Sequence, residues 1–265
     1  MRAEGDFREC RETMDLRALI TTTIQLYQQT VSETWRKLQP NWWVAFLPFV
    51  YGVVFLVAGM IAAPLGLLGG FLLGFVLALC TSSYLYFIAG VVDGNRMTLT
   101  DLGESWRPYL SPVITILFFF FVVQYTLAVL LPQTSGGVLV NLLINLVLLI
   151  ALNPIPEIIY QGRSDGFDML QESVDFIREN SVEWFTPLLI LVLLSFLVPL
   201  PFASLVLQSG TLVFPSFTLF GSLTGILWAA ISALLFYVLM VFRGLLFRAL
   251  SGSTRRQRLY RARFS

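Results

Sequence analysis

Three stretches of this chain, residues 38–92, 108–156 and 184–242, contain no Asp, Glu, Lys or Arg. A helix that crosses a bilayer needs about 20 consecutive apolar residues. Each stretch therefore holds two crossings and a short turn, but not three. A buried soluble core would have to hide all three stretches in 265 residues, of which only 12% are charged. Soluble domains carry roughly twice that fraction. The expected fold is all-α: a polytopic integral membrane protein with six transmembrane helices arranged as three hairpins, each preceded by a cytoplasmic amphipathic helix.

The spans fall at about 42–63, 65–92, 112–131, 138–160, 184–198 and 217–242. Pro64 and Gly66 mark the first turn, and residues 132–137 (Pro-Gln-Thr-Ser-Gly-Gly) the second. Residues 199–216 carry Pro199, Pro201, Gly210 and Pro215 and read as an interfacial loop or a partly embedded segment. The chain then divides into a leader (1–40), a membrane domain (41–248) and a basic tail (249–265). All 17 basic residues lie in the leader, the loops 93–111 and 161–183, or the C-terminal region from Arg243 onward. Basic loops stay cytoplasmic, so both termini are expected in the cytoplasm, in the inner membrane of a bacterium. Trp42, Trp43, Trp106 and Trp184 sit near the cytoplasmic ends as interface anchors. The charged leader has no apolar core of the kind a secretory signal needs.

Each hairpin follows a segment with helical periodicity. Leu16, Ile20, Ile24, Tyr27, Val31, Trp35 and Leu38 recur at intervals of four and three. Thr98 and Asp101 have capping-box spacing, with Leu102 and Trp106 as the apolar side. Phe167, Leu170, Val174 and Ile177 form a third stripe, opposite Asp168, Glu172, Asp175 and Glu179. Ser32-Glu33-Thr34-Trp35-Arg36 echoes Gly103-Glu104-Ser105-Trp106-Arg107, and Leu102-Gly103-Glu104-Ser105 echoes Leu170-Gln171-Glu172-Ser173. Glu33, Glu104 and Glu172 recur near every 70 residues, as one unit used three times would require.

Mitochondrial carriers share the three-hairpin plan, but their proline–acidic–basic signature is missing here. With the Gly166–Glu183 helix entering a span and the Asn153-Pro154-Ile155-Pro156-Glu157 break, residues 40–248 resemble another family. It is the multi-span bacterial membrane domain found with some glycerophosphodiester phosphodiesterases, and its stand-alone relatives. That resemblance implies architecture and no chemistry, because the soluble catalytic domain is absent.

Candidate functional residues are few. Histidine is absent, and two cysteines, Cys10 and Cys80, suggest no disulfide framework. No metal site, cofactor or enzymatic activity is expected. Asn141, Asn145, Asn153 and Glu157 follow one face of span 4, with Gln124 and Tyr125 of span 3 as partners. Amides in hydrocarbon need hydrogen bonds, so this stripe reads either as a polar pocket open to the cytoplasm or as interhelical packing. Gly66, Gly70, Gly74 and Ala78, and again Gly221, Gly225, Ala229 and Ala233, lie four apart and read as packing strips, inside the monomer or between copies of a homo-oligomer. Arg255, Arg256, Arg258, Arg261 and Arg263 form a basic tail suited to anionic lipid headgroups or a cytoplasmic protein partner; nothing points to nucleic acid. Two functions follow: a scaffold or accessory subunit, or a transporter or lipid-handling protein. A hydrated cavity reaching Asn145 would favour transport, and a dry bundle scaffolding.

Overall fold

The computed structural model describes residues 21–131, 135–162, 164–197, 202–210 and 223–252. They form helices, with no strand among them. In chain order these are α1 (residues 21–38), α2 (Leu47–Ala62), α3 (Leu67–Asp93), α4 (Leu110–Leu130), α5 (Ser135–Ala151), α6 (Ile155–Gln161), α7 (Asp168–Leu194), α8 (Phe202–Gly210) and α9 (Leu223–Ser251). A 3-10 segment, Gln39–Phe46, links α1 to α2. Five helical runs are long and apolar enough to cross a membrane: those through α2, α3, α4, α5–α6 and α9.

Helix α3 is the central post, packing against α2, α4, α6 and α9. It stops at Gly94, whose φ of 86° is the left-handed turn that glycine adopts without strain. Lys37 Nζ and Arg248 Nη1 both donate to the Val92 carbonyl there, and Arg248 also pairs with Asp93. Cations at a helix C-terminus satisfy orphan carbonyls and oppose the dipole. This corner is called the charged end below. Burial, reinforced by the Asp93 carboxylate, raises the nearby Tyr109 phenol above its ordinary value, so it stays protonated.

Helix α7 departs from the expected fifth span. Its first half carries Asp168, Glu172, Asp175, Arg178, Glu179 and Glu183. The apolar remainder, Trp184–Leu194, rises about 16 Å, half of a roughly 30 Å hydrocarbon core. Helix α8 then turns back. Leu205 and Val206 share a cavity wall with Ile190 and with Leu239, while Ser209 meets Arg243. Residue numbers therefore rise together in α8 and α9, and α8 runs toward the charged end. The described helix of the 184–198 segment ends at Leu194; α7 is not among the five runs long and apolar enough to cross, and it packs against α8.

The amphipathic stripes are rotated from their expected faces. On α1 the buried residues are Thr30, Thr34 and Leu38, whereas Ile24, Val31 and Trp35 are exposed. Thr30 and Thr34 turn their hydroxyls onto the carbonyls four residues back, at 2.8 and 2.7 Å, and so tolerate burial. On α7 the buried face is Met169, Ser173, Phe176 and Asn180; Phe167 and Val174 are exposed. In the segment after Thr98 the capping box forms, but Ser105 is the buried residue, and Leu102 and Trp106 are partly exposed. The three echoes thus share one physical role. The hydroxyl after each glutamate (Thr34, Ser105, Ser173) is buried, at 4%, 0% and 0% exposure.

Candidate functional site beside a buried arginine

Helix α5 stops at Ala151 because Pro154 and Pro156 follow and cannot donate backbone hydrogen bonds. The chain turns through Leu152–Pro154 and restarts as α6, with Glu157 in its first turn. A carboxylate there faces the positive end of the helix. Helix α8 ends at Gly210, where a Cβ would lie 2.5 Å from Asn153 Nδ2; the missing side chain lets α8 approach the break. Helix α7 kinks at Asn180 and brings Trp184 to the same point. Gly244 allows the matching approach of α9, since a Cβ there would sit 2.4 Å from the Tyr160 hydroxyl.

Arg243 of α9 fills the junction and is fully buried. Its Nε and Nη2 donate to Glu157 Oε1 and Oε2, both at 2.8 Å. Nη2 also donates to the Asn153 carbonyl and Nη1 to Ser209 Oγ, each at 2.7 Å. The guanidinium lies 5.1 Å from the Trp184 ring centroid, and Trp184 Nε1 donates to Asn153 Oδ1 at 2.9 Å. A bidentate pair with further hydrogen bonds and an aromatic face is the arrangement in which a buried charge is tolerated. The cluster ties α6, α7, α8 and α9 together. Of the two readings left open for Glu157, a polar pocket or interhelical packing, its place as the counter-ion of Arg243 fits the second. The cluster also corrects two expectations. Arg243 is a buried clamp within a helix, not part of a solvated C-terminal region. Trp184 is fully buried, not an interface anchor.

Alongside the cluster lies an apolar cavity of about 490 Å³. Its walls come from α1 (Tyr27, Val31, Thr34, Trp35, Leu38), α7 (Pro187, Ile190, Leu191), α8 (Leu205, Val206) and α9 (Leu235, Val238, Leu239, Phe242). The two hydroxyls in the wall are already engaged. The Tyr27 hydroxyl donates to the Glu183 carbonyl at 2.8 Å, and the Thr34 hydroxyl to the Thr30 carbonyl. Val31, Trp35 and Ile190 are exposed at the rim. The cavity falls in the size range of small-molecule sites but lacks the polar groups that orient a polar ligand.

The six residues proposed for one polar stripe divide in two. Asn153 and Glu157 join Arg243. Gln124, Asn141 and Asn145 form a separate amide chain on the far side of the α5–α6 break. In it Gln124 Nε2 donates to Asn145 Oδ1 at 2.6 Å, and Asn145 Nδ2 to Asn141 Oδ1 at 2.7 Å. Tyr125 joins neither; it is exposed and stacks on Phe121. The first packing strip is also displaced. Gly66, Gly70 and Gly74 have nothing within 4 Å of an added Cβ, whereas at Gly69 a Cβ would lie 2.2 Å from the Ala62 carbonyl oxygen. The α2–α3 contact thus runs through Gly69, with Ala78 buried farther along. In the second strip Ala229 and Ala233 are buried. Gly225 lies within α9; Gly221 and the arginines 255, 256, 258, 261 and 263 lie outside the described residues.

Comparison with protein-family models, curated proteins and solved structures found no match. Among the described residues no group of acidic or cysteine side chains could hold a metal ion. Residues that sequence reasoning passed over include Ser209 and Asn41. Asn41 binds the Asn95 carbonyl and the Met97 N–H through its amide and accepts the Tyr237 hydroxyl at its carbonyl. One signal was available for Arg243. It is followed by Gly244-Leu245-Leu246-Phe247, so the apolar helix continues past it.

Proposed function

We propose that this chain is a non-enzymatic lipid-binding protein of a bacterial inner membrane, which holds an acyl chain in the cavity beneath α1. The carrying observation is that cavity: apolar walls, engaged hydroxyls and an exposed rim, in a chain with five helices able to cross a bilayer. In such surroundings the abundant apolar ligand is a lipid tail. The basic tail would attract an anionic headgroup by about 1 kcal/mol per arginine near the surface. The arrangement in the membrane is six crossings with both termini cytoplasmic. Support comes from the one-sided charges. The likeness to phosphodiesterase-associated membrane domains contributes layout only.

The test is lipid analysis of protein purified in mild detergent, for wild type and for Leu235→Trp and Val238→Trp, which fill the cavity. Stoichiometric phospholipid lost in both variants, with melting temperature retained, is the expected result. Wild type that carries no lipid, and is not stabilised by added phospholipid, would sink the proposal.

The scaffold reading keeps one specific support. Asp168, Asp175, Arg178 and Glu179 form an exposed charged face on α7. A stoichiometric protein partner lost on deleting residues 249–265 would favour it. Coupled transport draws no support, because the buried charges Glu157 and Arg243 neutralise each other and Asn145 lies outside the cavity.

A further inference from the structure

We infer that the α4–α5 face is a two-fold interface with a second copy of this chain, held by reciprocal amide hydrogen bonds between Gln124 and Asn141. Only Val113 and Ile116 of α4 are buried, and α5 is exposed along most of its length. An apolar exposed face alone would be content in lipid. The amides would not. Gln124 lies six residues before the end of α4, and Asn141 six after the start of α5. Each is therefore about 9 Å in from its helix end, well inside a hydrocarbon core of about 30 Å. Both are exposed.

The amide chain Gln124–Asn145–Asn141 satisfies its middle member and leaves its two ends open. Gln124 Oε1 is an acceptor and Asn141 Nδ2 a donor, and neither has a partner among the described residues. Reversing all three amides exchanges the two ends but still leaves one donor and one acceptor. Lipid tails can satisfy neither. A two-fold axis through this face sets the donor end of each copy against the acceptor end of the other, closing both at once. This self-complementarity selects a second copy over an unrelated span, which would have to supply the reverse pair. A notch of about 120 Å³ lined by Leu127, Leu131 and Val138, between the two amides, gives the partner's side chains room.

The experiment is oxidative cross-linking in native membranes of full-length protein carrying Cys10→Ser, Cys80→Ala and Val138→Cys. Interhelical amide bonds in membranes contribute about 0.6–2 kcal/mol each. Losing two lowers association about tenfold near the lower end of that range and by more above it. Wild-type amides should give a disulfide-linked dimer, and Gln124→Leu or Asn141→Leu alone should reduce it by that factor. Co-expression of the two differently tagged variants should restore part of the cross-link between them, because one of the two reciprocal bonds returns. A misfolded variant could not show this rescue. Three outcomes would overturn the inference: no dimer at Val138→Cys, variants that cross-link like the parent, or cross-linking at Phe71→Cys instead. The last would move the interface to the Gly70–Gly74 strip.

Discussion

Two polar clusters sit in apolar helices of this protein, and they end differently. Around Arg243 the polar groups come from four helices and close on one another, leaving both charges fully buried. Around Asn145 they come from two helices, and the chain of amides stays open at both ends. The helices differ in the same way. Helix α9 is the most deeply buried of the candidate spans, and α4 the least. Closure of a polar group in hydrocarbon requires enough neighbouring elements to supply partners. The packing of α7 and α8 brings Trp184 and Ser209 into reach of Arg243 beside the α5–α6 break; among the described residues nothing comparable packs on α4.

The largest effect should come from opening the closed cluster. Arg243→Met leaves Glu157 buried without its counter-ion and should cost about 3–5 kcal/mol, read as a large drop in melting temperature in detergent. Adding Glu157→Leu should recover most of that loss, since a buried pair replaced by apolar groups is often neutral. A double variant no better than the single one would mean that the cluster does more than neutralise itself. Asn153→Ala should cost about 1–3 kcal/mol by stranding the Trp184 N–H. A smaller loss would show that the ring's stacking on Arg243, not its hydrogen bond, fixes Trp184. Gly69→Ala and Gly70→Ala test the contrast in apolar form. Gly69→Ala drives a methyl into the Ala62 carbonyl and should cost about 1–3 kcal/mol, while Gly70→Ala should fall within about 0.5 kcal/mol of wild type. Asp93→Asn removes a half-exposed ion pair and should cost under about 1 kcal/mol. Gln124→Leu should leave the monomer's melting within about 0.5 kcal/mol; a drop comparable to Asn153→Ala would show that the open cluster also holds the monomer together.

Much of the helical layout was legible before any coordinates. The uncharged stretches placed α2, α3 and α4 to within about five residues, because helix length against bilayer thickness leaves little freedom, whereas α9 runs on to Ser251, past the expected end at 242. The Asn153–Glu157 break was legible too, from its two prolines. The buried faces of α1 and α7 were not, because Thr30, Thr34, Ser173 and Asn180 are polar and periodicity looks for apolar residues. The packing glycine was misjudged by one position, since a run of small residues does not say which one faces a neighbour. Gly69 is chosen by Ala62, on another helix.

The sequence by itself determined that the chain is helical, that its apolar runs have bilayer length, and that its charges lie outside them. These follow from local composition and the chain's own hydrogen-bonding needs. Only the tertiary structure decided that Glu157 and Arg243, 86 residues apart, are one ion pair, and that α7 and α8 bring Trp184 and Ser209 onto it. Pairing at that separation depends on which helices pack together, and one strand of letters does not encode a shared neighbour until the chain is folded.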